Sequence, residues 1–309
     1  MPINCTTYYF RIADFLFSVQ LPEASDIEKL LPSFRPFRET ENTDGQILFN
    51  FSALPDGISQ EESPDKLLEE TDNDMGHLSL YASSTGYRVD VSNNGYTHRL
   101  QASPDFSSVR ASVLWSDKYV GNILSSMIRI AQAILPHEAV SIHAATVSHE
   151  NKAYLFMGKS GTGKSTHASL WTACIPGAEL LNDDNPTVRI VNDRAYAYGT
   201  PWSGKTPCYK NASYPIEGMV RLVQAPENRF ILKEGIKAFA ILYPGCSVIS
   251  QDIRLRNCLY DTLARLSGMT TVGTLECRPD KEAALLCFQN LNRLSTPNEI
   301  RNCFEFIVC

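Results

Sequence analysis

An α+β fold is predicted, with a β-rich N-terminal region over residues 1–105 and a core of mixed sheet and flanking helices over residues 106–309. Three observations lead there. Short alternating apolar runs separated by tight-turn residues fill the first hundred positions. Helical periodicity begins only after Pro104. A glycine-rich stretch, Gly158 to Thr166, sits between an apolar strand and a segment of helical character. At 309 residues and 43% apolar, the chain can bury one large core or two ordinary ones.

In chain order, Thr6 to Ile12 and Phe15 to Leu21 read as strands joined by a turn at Ala13-Asp14. Ser25-Asp-Ile-Glu28 has the form of a capping box and opens a short helix ending near Leu31. Ile47 to Leu54 is another strand. From Pro55 to Gly76 acidic residues dominate against the single Lys66, the mark of a solvated loop or short exposed helix. His77 to Ser83, Tyr87 to Val91 and Tyr96 to Ala102 form a meander, and Asn94-Gly95 supplies residues that tolerate the positive φ of a hairpin turn. Val109 to Trp115 is strand-like. Ser116 is placed to cap a helix in which Val120, Ile123, Leu124, Met127, Ala131 and Ile134 recur at the helical period.

Val140 to Val147 and Ala153 to Met157 flank a polar turn and pair as a hairpin. Lys164 to Cys174 runs as a helix until Pro176-Gly177 stops it. Thr187 to Ile190 and Ala195 to Tyr198 make a second hairpin around Asn192-Asp193; Met219 to Gln224 and Phe230 to Lys233 are strand-like. A helix from Gln251 to Leu266 buries Leu255, Leu259, Thr262 and Leu266. Thr271 to Cys277 is extended, Asp280 caps a last helix through Leu291, and Phe304 to Val308 reads as a closing strand.

A net charge of −6 argues against a broad nucleic-acid or membrane-surface footprint. Met1 to Tyr9 lacks the basic region of a signal peptide. The longest apolar candidate for a membrane span, Ala131 to Val147, is interrupted by Pro136, His137, Glu138 and His143. A soluble cytoplasmic protein with neither a nucleic-acid nor a membrane partner is expected. The nine cysteines contain no C-x-x-C pair. Cys174, Cys258 and Cys287 fall in predicted helices as small buried apolar residues, so neither a zinc site nor a disulfide framework is expected.

The glycine-rich stretch matches G-x-x-x-x-G-K-[ST] at Gly158, Gly163, Lys164 and Ser165. Its glycines let successive backbone N–H groups converge on phosphate oxygens with no Cβ in the way. The whole run Gly158, Lys159, Ser160, Gly161, Thr162, Gly163, Lys164, Ser165 and Thr166 is thus a candidate phosphate cradle. Lys164 neutralises phosphate charge, Ser165 offers its hydroxyl to Mg²⁺, and the following helix adds the partial positive charge of its N-terminus. Leu180-Leu181-Asn182 then leads into Asp183-Asp184. Two adjacent acids near a phosphate loop suit phosphoryl transfer, one carboxylate holding Mg²⁺ and the other accepting the proton of an attacking hydroxyl. The first hairpin brings His143 within reach of the acids, where it orients a carboxylate or senses the γ-phosphate.

His143-Ala-Ala, the following strand, the loop from Gly158 to Ser165 and the Asp183-Asp184 pair together resemble the HPr serine kinase/phosphorylase family and its relatives, which share their fold with ATP-dependent phosphoenolpyruvate carboxykinases. Gly199-Thr-Pro-Trp-Ser-Gly-Lys205 and Leu275-Glu-Cys-Arg-Pro-Asp280 also match the wider group of HPr kinase-like proteins. The matching region runs from Ala139 to Leu291. The resemblance implies a carboxykinase-like P-loop core and an ATP- and Mg²⁺-dependent kinase acting on a hydroxyl. It casts Asp183 as general base, Asp184 and Ser165 as metal ligands, Lys164 on the phosphates and His143 in support of the acids; the two aspartates can exchange roles. Lys205 is a candidate second cation on the transferred group. His167 is read as a helix-surface residue or a nucleotide contact. The Glu-Ile-Arg-Gly stretch of bifunctional family members is replaced by Tyr214-Pro-Ile-Glu-Gly218, so the resemblance does not extend to HPr as acceptor or to phosphorolysis.

Two functions of different class follow. One is a kinase for a serine-type hydroxyl on a protein, a peptide or a small molecule. The other is a non-catalytic ATP-binding sensor that acts through a protein partner. A GTPase or transport ATPase is disfavoured, because neither Asn-Lys-x-Asp nor Leu-Ser-Gly-Gly-Gln occurs. The acceptor and a homo-oligomeric state are left open.

Overall fold

The computed structural model describes residues 4–40, 45–55, 66–73 and 76–294. It is a mixed α+β structure in two compact units, divided between Ile134 and Leu135. In the first unit, β1 (Cys5–Ile12) and β2 (Phe15–Pro22) pair as the expected hairpin, with Ala13 and Asp14 at φ 51° and 62°. The short helix α1 (Ile27–Leu30) is capped by Asp26, whose carboxylate accepts from the amides of Glu28 and Lys29. Ser25 is not the cap; an ionised acid one position nearer the helix is the better acceptor for its first N–H groups.

The strands β3 (Arg38–Glu39), β4 (Ile47–Ala53), β5 (Lys66–Asn73), β6 (Gly76–Ser83), β7 (Gly86–Asn93), β8 (Tyr96–Ala102) and β9 (Ser108–Ser112) complete a nine-stranded sheet in the order β3-β1-β2-β4-β9-β8-β7-β6-β5. The β2–β4 and β4–β9 pairs are parallel and the others antiparallel. The Asn94-Gly95 hairpin forms as expected, with Asn94 at φ 49°. One expectation fails here: Lys66–Asn73, read as loop or helix, is an edge strand paired with β6. Its acids remain at the sheet margin, where charge opposes pairing with a further strand; residues 56–65 and 74–75 of that acidic stretch lie outside the described residues. The helix α2 (Val120–Ala131) buries the predicted stripe from Val120 to Ala131; Ile134, expected on the same helix, is buried beyond its end. Ser116 does not cap it, because a turn from Leu114 to Asp117 intervenes and the Asp117 carboxylate takes the Tyr119 amide instead.

The second unit contains β10 (Ala139–Ser141), β11 (Ala144–His149), β12 (Lys152–Met157), α3 (Lys164–Cys174), β13 (Glu179–Asn182), β14 (Thr187–Val191), β15 (Arg194–Tyr198), β16 (Ser213–Gln224), β17 (Arg229–Lys233), α4 (Gly235–Leu242), α5 (Ile253–Met269), β18 (Thr271–Cys277) and α6 (Lys281–Leu294). Its mixed sheet runs β10-β14-β15-β16-β12-β11-β13, with β18 added on β16 and β17 on β18. β12, β16 and β18 are mutually parallel, and β11 is antiparallel to both β12 and β13. The strands β12, β13, β16 and β18 therefore end at one edge, the position where ligands bind in open α/β sheets.

Helices α3 and α6 close one core against this sheet through Phe156, Trp171, Leu222, Leu275 and Leu291. The predicted strand from Val140 to Val147 is broken at Ile142-His143, because the Ile142 N–H donates to the Pro186 carbonyl and the His143 N–H to the Gly245 carbonyl, 2.7 Å away. Helix α4 has no counterpart in the sequence reading; Gly235–Leu242 is short and apolar on most sides. Helix α5 starts at Ile253, behind an Asp252 cap and close to the expected start near Gln251, and runs to Met269. Asp280 accepts from the Ala283 amide at the start of α6, as expected. The expected strand Phe304 to Val308 lies outside the described residues. Among those residues no helix is long and apolar enough to cross a membrane; of the three helical cysteines expected to be buried, Cys287 is fully buried as a free thiol, whereas Cys174 and Cys258 are half-buried.

Leu275 is fully buried in the centre of this core. Leu275→Ala is expected to cost about 2–5 kcal/mol through the cavity it leaves. Ile253→Ala, at a 63% exposed position, is expected to stay within about 0.5 kcal/mol. Urea unfolding of the two variants measures the contrast.

Candidate nucleotide-binding site

At the end of β12 the chain turns through Gly158, Gly161 and Gly163 at φ 154°, 80° and 99°, and enters α3 directly. Only glycine adopts this succession without strain. The turn is braced internally by the Thr162 hydroxyl, which donates to the Lys159 carbonyl at 2.6 Å, and externally by Gln224, whose amide donates to the Gly161 carbonyl at 3.3 Å. Lys159 and Ser160 are exposed on the turn, while Ser165 and Thr166 lie in the first turn of α3. Lys164 is buried, with Nζ donating to the carbonyls of Gly158 (3.1 Å) and Lys159 (3.4 Å). Burial pulls its pKa down, opposed by the charges of Asp184 and Asp183. The cation and both acids thus lie within electrostatic reach of one another.

Asp183 and Asp184 follow β13 immediately. The Asp183 carboxylate accepts from the Thr206 amide through Oδ2 (3.0 Å), while its Oδ1 is buried without a partner among the described residues. Asp184 is held on more sides. Its amide donates to Asn182 Oδ1 at 2.9 Å, Asn185 donates to its Oδ2, and its Oδ1 pairs with His143 Nδ1 at 3.0 Å. The backbone joins the same elements, since the Ala144 N–H donates to the Asp184 carbonyl at 2.9 Å. His143, Lys164, Asp183 and Asp184 are therefore brought together.

Lys205 is exposed between two residues that touch Asp183. On one side is Thr206, already described. On the other is Gly204, where an added Cβ would meet the Asp183 carbonyl at 3.0 Å and Asp184 Cβ at 3.4 Å. The loop lies close over the acids, and a side chain at Gly204 would press on them.

Sequence reasoning missed the residues that set this loop. Asn182 is fully buried and donates to the Trp202 carbonyl and the Thr200 hydroxyl, both at 3.1 Å; Thr200 in turn donates to the Asn185 carbonyl at 2.7 Å. Asn182 stands in the run before the acid pair, and Thr200 and Trp202 in the Gly199 to Lys205 stretch, but neither motif gave them this part. His167 needs correction. It is not on the helix surface but buried, accepting from the Trp171 indole N–H at 3.0 Å through Nε2 and packing edge-on to Phe156. Residue 167 follows Lys164 by one helical turn on the inward face, where only an uncharged ring fits, and burial drives its pKa down to about 4.

No group of three or more His, Cys, Asp and Glu side chains is gathered for a metal among the described residues. The candidate metal oxygens, Ser165 Oγ and the Asp184 carboxylate, are hard donors of the kind Mg²⁺ takes alongside phosphates and waters.

No protein-family model matches the chain. No curated protein matches it in sequence. Among solved structures, the HPr(Ser) kinase/phosphatase from Coxiella burnetii is similar over 50% of this chain and 88% of its own, at 12% identity and a TM-score of 0.29, a weak and distant likeness.

Two outcomes are expected. Asn182→Ala removes a buried amide that serves several partners and should destabilise the chain by about 1–3 kcal/mol, with faster hydrogen exchange at the Asp184 amide as the local readout. His167 binds its proton more weakly when folded than when unfolded, so its contribution is whole above about pH 6.5, falls as the pH drops and is exhausted near pH 4, a loss of about 3 kcal/mol. Chemical denaturation across that window should show the decline, and His167→Phe should flatten it.

Proposed function

We propose that the second unit is an ATP- and Mg²⁺-dependent kinase of the HPr kinase-like, carboxykinase-related type, which transfers the γ-phosphoryl group to a serine-type hydroxyl. The observation that carries this reading is the meeting, at one sheet edge, of a phosphate-loop lysine with a His143–Asp184 pair and an Asp183 carboxylate that has a buried oxygen to spare. An anion site alone has no use for two acids beside its lysine. A phosphoryl transferase needs both, one near the metal and one at the incoming hydroxyl.

In this reading the loop amides and Lys164 hold the triphosphate, and nucleotide binding draws the ammonium from its carbonyl partners to the phosphates. Ser165 and Asp184 are the oxygens offered to Mg²⁺, which when bound neutralises phosphate charge. His143 and Asn185 fix the Asp184 carboxylate. Asp183 takes the proton from the acceptor hydroxyl as the new P–O bond forms and the bond to the β,γ-bridging oxygen breaks, releasing ADP. Lys205, on the loop over the acids, is assigned to the charge that develops on the transferred group. The spare oxygen favours Asp183 over Asp184 as the base.

Purified protein with Mg²⁺ and γ-labelled ATP should transfer label to an acceptor in a panel of serine peptides and hydroxyl-bearing small molecules. Asp183→Asn should keep ATP binding by calorimetry and lower transfer by about 10²–10⁴-fold, the usual weight of a general base. Undiminished transfer by that variant removes the base assignment. ATP binding with no transfer to any acceptor leaves the sensor function in place of the kinase.

A further inference from the structure

The stretch from Gly199 to Ala212 joins β15 to β16 and is fastened on both sides of Lys205. Before Lys205, the Trp202 carbonyl accepts from Asn182 at 3.1 Å. After it, Cys208 is buried, its Sγ 3.4 Å from the carbonyls of both Leu180 and Leu181 on β13. Between these anchors the Ser203 hydroxyl donates to the Thr206 carbonyl at 2.6 Å and ties the intervening residues into a short turn. That turn is laid across the acid pair. A Cβ at Gly204 would stand 3.6 Å from Asp183 Oδ2, and the Thr206 N–H donates to the same oxygen at 3.0 Å.

A hydroxyl of the chain itself is thereby kept beside the acid assigned as base. Thr206 is exposed and bonded through its backbone, while its hydroxyl has no partner among the described residues. The hydroxyl oxygen is two bonds from the α-carbon whose amide Asp183 holds, so it stays in the neighbourhood of that carboxylate as long as the backbone bond is made. Other hydroxyls near the acids and the loop are engaged: Ser203 with the Thr206 carbonyl, Thr200 with the Asn185 carbonyl and Thr162 with the Lys159 carbonyl. Asp183 Oδ1, buried without a partner among the described residues, is free to accept a proton. Lys164 feels the charge of Asp183, so phosphates drawn to that lysine end near the same carboxylate. A nucleophile and a base joined by one short tether have the proximity advantage of an intramolecular reaction, and reach comes before pKa in choosing a general base.

We propose that Thr206 is a phosphorylation site of the chain itself, modified in cis from ATP bound at the loop. The proposal rests on the kinase reading above. Thr206 Oγ1 forms the new bond to the γ-phosphorus and passes its proton to Asp183 Oδ1, while the bond from that phosphorus to the β,γ-bridging oxygen breaks and ADP leaves. The product carries a charge of about −1.5 to −2 next to two aspartates, and like-charge repulsion of this kind disrupts a segment. The modified turn is driven off the acids, which limits the reaction to one event per chain.

Incubation of the whole chain with Mg²⁺ and γ-labelled ATP, with no acceptor added, tests it by peptide mapping in the mass spectrometer. Label should appear on Thr206, rise to about one phosphate per chain and follow first-order kinetics whose rate constant is independent of protein concentration. Thr206→Ser should keep the reaction and carry phosphoserine at that position. Asp183→Asn should slow it by about 10²–10⁴-fold. Transfer to an added acceptor with no label on the chain overturns the self-modification and spares the kinase. Label confined to other residues, or a rate constant that rises in proportion to protein concentration, also overturns modification of Thr206 in cis. ATP binding with transfer neither to the chain nor to any acceptor overturns the kinase reading, and the modification with it.

Discussion

β11 lies between β12 and β13 and is antiparallel to both, with Ala144 opposite Met157 and Thr146 opposite Asn182. The beginning of one strand is thereby set against the ends of its two neighbours. His143, Gly158 and Asp183 are the next residues along in each case, so an imidazole, a phosphate loop and a carboxylate emerge at one edge with almost no intervening chain. The register is held by packing. Ala145 and Val147 on β11 and Tyr154 and Phe156 on β12 alternate into the core beneath α3 and α6. A slip by one residue would turn these side chains to the opposite face, and the aromatic contacts of Trp171 with Tyr154 and Phe156, at 4.8 and 5.1 Å, would be lost.

Charge at this edge is arranged unevenly. Among the described residues Lys164 hydrogen-bonds only to carbonyls, the condition of a cation that can move to a stronger acceptor. The Asp184 carboxylate has an imidazole and the Asn185 amide around it, and its backbone N–H donates to the Asn182 side-chain oxygen. Asp183 has one backbone amide and a second oxygen left over. A buried polar atom without a partner costs about 1–3 kcal/mol, and such atoms in folded chains call for an explanation in strain or chemistry. On the proposed reading, the hydroxyl of an acceptor supplies that explanation. Adjacent in sequence and alike in chemistry, the two acids differ in what surrounds each.

Much of this could be seen in the sequence wherever a local rule governs. Thr271–Cys277 and Lys164–Cys174 form where alternation and helix-stop residues place them. The hairpins at Ala13-Asp14, Asn94-Gly95 and Asn192-Asp193 form because those residues tolerate positive φ. His143, the loop and the acid pair could be gathered from strand order alone. What could not be seen depends on tertiary partners. The break after Ser141 is imposed by Pro186 and Gly245, distant in sequence. The edge strand Lys66–Asn73 carries an acidic pattern that argues against a strand until its pairing with β6 is known. Asn182 looks like any polar residue before a turn, and only the fold of the Thr200 to Trp202 segment gives it acceptors.

His167 shows why the loop and the core cannot be treated separately. Helix α3 has little amphipathic character; Ser169 and Thr172 are exposed, and its hold on the sheet comes from Ala168, His167 and Trp171. Burial of a large aromatic is the strongest anchor a short helix can have, and Trp171 is fully enclosed between Tyr154, Phe156 and Phe288. Its indole proton must find an acceptor there, and His167 provides it four residues upstream on the same face. The position that satisfies the anchor is also one helical turn from Lys164. A leucine or phenylalanine would pack the core at that point but strand the indole proton, and a lysine could not be buried. Core chemistry thus narrows position 167 to a residue that accepts on one side, and in an imidazole that choice fixes a donor on the other.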